Sequence, residues 1–102
     1  MMKMRCVKTD DIMVNMLIYA LRQVFRQERE QGKPTEVTRD LVLKLANHEE
    51  RRLYFTDVEY EKALQAINGL RDEFIQKGRY TDGIDVIFQK LICAKYKRCA
   101  SR

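Results

Sequence analysis

Residues 11–31 read DIMVNMLIYALRQVFRQEREQ. Val14, Leu17, Ile18, Leu21, Val24 and Phe25 recur at the three- and four-residue spacing of one helix face. Met13, Met16, Tyr19 and Ala20 carry the apolar arc well round the cylinder, further than the single stripe of an ordinary surface helix. A helix of this kind either runs through the middle of its fold or offers a second face to another chain. Thr9 or Asp10 is placed to cap its first turn, and Gly32-Lys33-Pro34 stops it. Its last turns are polar (RQEREQ) and are expected to project into water.

Outward from this segment the chain shows three more helical patterns. The second spans about 36–47, capped at Thr35 or Thr38, with Leu41, Val42 and Leu45 facing inward. The polar stretch Asn47-His48-Glu49-Glu50-Arg51-Arg52 interrupts the pattern and is expected to be partly helical. The third spans about 57–77. Thr56-Asp57-Val58-Glu59 has the spacing of a capping box, and Phe55 and Tyr60 the spacing of a hydrophobic staple. Its stripe (Tyr60, Ala63, Leu64, Ile67, Leu70, Phe74) stays in phase across Asn68-Gly69, so one unbroken helix is expected up to Gly78. The fourth spans about 82–98. Ile84, Ile87, Phe88, Leu91 and Ile92 form its stripe, and the next position in line is Lys95. Its end is therefore expected to overhang the body, carrying Lys95, Tyr96, Lys97 and Arg98. No segment shows a clear apolar–polar alternation, and no strand is expected. The expected fold is all-α, a single domain built as a small bundle of four helices.

Composition narrows the chemistry. The chain has 102 residues, 45 % hydrophobic and 34 % charged, which suits one globular domain rather than a disordered tail. The longest apolar run, Met16–Leu21, is too short to span a bilayer or to serve as a signal peptide. The only serine is Ser101 and the only histidine His48, which excludes a serine–histidine hydrolase. Three cysteines (Cys6, Cys93, Cys99) without a secretory leader suggest free thiols in a reducing, cytoplasmic setting. They lack the close pairing of a structural zinc site, so neither metal nor cofactor is expected.

Several short motifs fail on inspection. Gly32-Lys33-Pro34-Thr35 lacks the upstream glycine of a phosphate loop, and proline removes an N–H such a loop needs. His48-Glu49 has Arg52 where a zinc protease has its second histidine. Asp82 and Asp85 read as helix-start residues rather than a catalytic pair. The outward face of the third helix, with Glu59, Glu61, Lys62, Gln65, Asp72 and Glu73, is mostly acidic and would be repelled by DNA phosphates.

Charge leaves two candidate surfaces. The net charge is +5. Residues 1–8 carry Lys3, Arg5 and Lys8 and no acid; residues 90–102 carry Lys90, Lys95, Lys97, Arg98 and Arg102 and no acid. The body between them is mildly acidic. Lys90, Lys95, Lys97 and Arg98 with Tyr96, and the pairs Arg51-Arg52 and Arg79-Tyr80, are candidates for gripping an anionic ligand or nucleic acid. Met13, Met16, Tyr19 and Ala20 are the candidate face for a second copy or a larger protein. The expectation is a non-catalytic regulatory or inhibitory protein, homo-oligomeric or bound to a larger partner and not to a membrane. Nucleic-acid binding is the alternative. Size and composition are analogous to those of small phage or mobile-element regulators.

Overall fold

The computed structural model describes residues 2–48, 52–93 and 95–99, with positions 2–3 and 95–99 described as backbone only. The elements run β1 (Met2–Lys8), α1 (Asp11–Glu30), α2 (Glu36–Ala46), β2 (Arg52–Phe55), α3 (Asp57–Gln76), α4 (Asp82–Ile92) and β3 (Lys95–Cys99). The four helices dominate, as expected, and the first three keep the expected bounds to within a residue. Three short strands accompany them, and here the expectation of a strandless chain is corrected.

Local chemistry sets the helix ends. Asp10 caps α1, its carboxylate accepting from the Met13 N–H at 2.7 Å. Both capping-box bonds form at α3: Glu59 N–H to Thr56 Oγ1 at 3.2 Å, and Thr56 N–H to Glu59 Oε1 at 2.9 Å. Helix α3 runs unbroken through Gly69. Helices α1 and α3 end alike. Gly32 and Gly78 both take φ of +69°, where glycine meets no Cβ penalty. The N–H groups of Lys33 and Arg79 then return to the carbonyls of Glu28 and Phe74, each at 2.8 Å. These are Schellman ends. At α4 no side chain caps the first turn: Thr81 stands at the N-cap without bonding the helix backbone. Its hydroxyl bonds Asp85, which also accepts from Arg71 of α3.

Helix α1 is central. It packs on α2 along one side and α3 along another, and α3 packs on α4. Leu17, Leu21, Leu41, Leu45, Ile67, Ile84 and Leu91 are almost wholly buried between them. A polar link joins three helices at the α1 end of this core. Glu28, 7 % exposed, accepts from Thr38 of α2 and from Lys62 of α3, the latter at 2.8 Å.

The sheet has the order β2-β1-β3, with both pairings antiparallel. Val7 faces Leu53 and Arg5 faces Phe55 across one pairing; Met4 faces Lys97 and Cys6 faces Lys95 across the other. Val7, Leu53 and Phe55 are buried, and helices α3 and α4 lie against β1. The sheet thus closes one end of the core, and β1, at its centre, pairs with both β2 and β3.

Two further expectations are corrected. Helix α4 stops at Ile92 instead of reaching position 98. An apolar stripe that ends at Leu91 leaves the helix no further burial to gain. The Tyr60 hydroxyl donates to the Leu91 carbonyl at 2.6 Å, satisfying an acceptor in the last turn, and positions 95–99 pair with β1 instead. Asn47 and His48 do not continue α2 either: the helix ends at Ala46, and Arg52 pairs with Lys8. Positions 49–51 lie outside the described residues.

Burial pushes the Glu28 carboxyl up, but the hydrogen bonds from Lys62 and Thr38 and the charges of Lys62 and Lys33 outweigh it and hold it below the ordinary value of 4.5. The link therefore contributes fully above 4.5 and is lost as pH falls through the lowered folded value. Glu28→Ala should cost about 2–3 kcal/mol in urea unfolding at neutral pH. The gap from wild type should narrow when the same measurement is made at about pH 3. An equal gap at both pH values would contradict this role.

Candidate functional site

The expected partner face divides. Met13 and Ala20 are each 1 % exposed and packed in the protomer's own core, so they offer nothing to another chain. The apolar arc of α1 is broad chiefly because two helices cover it. What stays outside is the outermost strip: Ile12 at 74 % and Tyr19 at 50 % exposed, with Met16 half-buried between them.

That strip forms one wall of a shallow groove of about 510 Å³. Ile12, Asn15, Met16 and Tyr19 come from α1, Leu70 and Phe74 from α3, and Arg79 from the turn that follows. The Schellman end of α3 positions Arg79. Its backbone N–H is fixed on Phe74, and its guanidinium lies 4.5 Å from the centre of the Phe74 ring. A cation so placed is partly satisfied by the ring face. Tyr80 beside it is 91 % exposed. The groove is thus apolar and aromatic with one arginine at its rim. Two sequence candidates of different expected roles, Tyr19 and Arg79, meet there.

The basic candidates are rearranged. Arg51 lies outside the described residues. Lys90, on α4, has its Nζ 3.9 Å from an Asp10 carboxylate oxygen. Arg79 and Tyr80 stand apart at the α3–α4 turn. Lys95, Tyr96, Lys97 and Arg98, expected on an overhanging helix, belong to β3. Arg52 belongs to β2 and pairs directly with Lys8. The sheet therefore gathers basic residues from three distant parts of the chain.

Sequence reasoning missed Met4 as a member of a site, and missed that the strands bring Lys8 beside Arg52 and Cys6 beside Tyr54. Met4, Arg52 and Tyr54 line a recess of about 530 Å³ with Asn47 and His48 at the end of α2. Lys44 lies at its border and is engaged inward. Its ammonium donates to the Tyr54 carbonyl and to Glu59 Oε1. One signal was present: Tyr54 and Phe55 are strand-favouring residue types.

Among the described residues no cluster of three or more His, Cys, Asp or Glu side chains could hold a metal. No helix among them is long and apolar enough to cross a membrane. No protein family, no curated protein and no solved structure matches the chain.

The rim of the groove depends on the left-handed glycine that turns the chain toward Arg79. Gly78→Ala places a Cβ at φ of +69° and should lower stability by about 1–2 kcal/mol in chemical unfolding. No atom beyond the residue and its two chain neighbours lies within 4 Å of that Cβ, so the loss is conformational. Unchanged stability would contradict the Schellman assignment.

Proposed function

We propose that the protein is a non-catalytic regulatory or inhibitory protein that acts by binding another polypeptide, in the first instance a second copy of itself. The observation that carries this reading is the exposed strip Ile12–Met16–Tyr19 beside Phe74, Arg79 and Tyr80. Aromatic side chains, methionine and arginine are enriched at protein interfaces, and tyrosine and arginine often dominate their energetics. Exposed apolar side chains gathered in one place favour association.

The face suits self-association through α1. An isologous contact would bring two α1 helices together about a twofold axis, with Tyr19 of each copy close to the groove of the other. Arg79 at the rim would then lie at the edge of the buried patch, where a charge governs encounter more than affinity. A cytoplasmic setting accords with the free thiols of Cys6 and Cys93.

Light scattering after size exclusion tests the reading. The wild-type chain is expected to elute as a dimer, and Tyr19→Glu as a monomer that keeps the wild-type helical circular dichroism and a cooperative melt. A wild-type monomer at millimolar concentration would contradict self-association. So would a Tyr19→Glu variant that remains dimeric.

A further inference from the structure

The strand register assembles a second surface. Val7, Leu53 and Phe55 are buried against the helices, so the alternating positions define the opposite side of the sheet. Residues paired directly across an antiparallel ladder share a face. The register then places Arg52 beside Lys8, Tyr54 beside Cys6 and Cys6 beside position 95, and Met4 beside position 97. Positions 95 and 97 are both lysine. Successive rows lie about 7 Å apart along the strands and strand axes about 5 Å apart across them. No acidic residue occupies any of these positions.

The pattern is a basic margin on both sides of a softer centre. Lys8 and Arg52, both exposed, stand at one end. The lysine positions of β3 flank the far side. Half-buried Met4, Cys6 and Tyr54 fill the middle, and the recess next to Tyr54 continues to Asn47 and His48.

Lys8 opposite Arg52 is the informative pair. Like charges directly opposed across two strands destabilise the ladder, and among the described residues neither has an acidic partner. An anion lying along that end of the sheet would relieve the repulsion.

We propose that this sheet face binds single-stranded nucleic acid, the margins holding phosphates and Tyr54 stacking on a base. Cations at the edges and an aromatic ring at the centre match the two chemistries of a single strand, a charged backbone and unpaired π faces. A duplex fits poorly. The major groove admits a helix or a two-stranded ribbon, and this face is three strands wide with helices behind it. The surface involves neither Tyr19 nor the α1 groove, so it stands or falls separately from self-association.

Fluorescence anisotropy of a fluorescein-labelled oligouridine strand of about 15 nucleotides, titrated with the full chain, tests the proposal. Binding is expected to weaken steeply with salt, and Lys8→Ala with Arg52→Ala to reduce the log–log slope by about 1.4, or about 0.7 per lost phosphate contact. Tyr54→Leu is expected to weaken binding about tenfold, while Tyr54→Phe retains it. Circular dichroism melts of each variant distinguish a lost contact from a lost fold. Four results would overturn the proposal: no binding at low salt; wild-type binding by the folded double variant; equal affinity for the matching duplex; or displacement of the strand by poly-glutamate at equal charge, which would mark a face for acidic protein.

Discussion

Everything at one end of this molecule depends on the hydrogen-bonded ladder that β1 makes on both its sides. A short strand contributes little alone, and a two-stranded ribbon is marginal in water. Three strands with a buried face and helical support form a stable layer. Here the buried face is small, built on Val7, Leu53 and Phe55. Its backing is specific: the α3 capping box begins immediately after Phe55, Lys44 holds the Tyr54 carbonyl and the capping glutamate together, and Tyr60 ties α3 to the end of α4. The Arg5 guanidinium lies 4.6 Å from the centre of the Tyr60 ring, so even the charged residue on the inner face has a partner in the helical layer.

The helices were legible in the sequence because helical information is local. Stripes of three- and four-residue spacing, the Thr56–Glu59 box and the stops at Gly32 and Gly78 lie within short windows, and the structure has a helix at each. The in-phase stripe across Asn68-Gly69 correctly outweighed the turn preference of that dipeptide. The strands were hidden because pairing is non-local. Val7 pairs with Leu53, and Met4 with Lys97, across stretches of sequence that hold whole helices. In β1 the alternation also runs against simple reading: Met2, Met4 and Cys6 alternate with Lys3 and Arg5, yet Val7 is buried and Arg5 shares its face.

The same distinction governs the candidate sites. Breadth of the α1 apolar arc indicated a helix with several neighbours, but not which arc each neighbour would cover. Met13 and Ala20 went to the core, and Ile12, Met16 and Tyr19 remained at the surface. Charge counting located basic residues at both chain ends without showing that the ends meet. The register brings them together and adds Arg52 from the middle of the chain. In this account one structural layer closes the core on its inner side and gathers cations on its outer side, while the α1 groove supplies an apolar contact surface.

Backbone chemical shifts and cross-strand nuclear Overhauser contacts in isotopically labelled protein test that layer most directly. The account requires extended shifts at positions 95–99, contacts linking Met4 with Lys97 and Val7 with Leu53, and slow amide exchange in the central strand. Helical shifts continuing from Ile92 through position 98, with no contacts to the N-terminal strand, would contradict it.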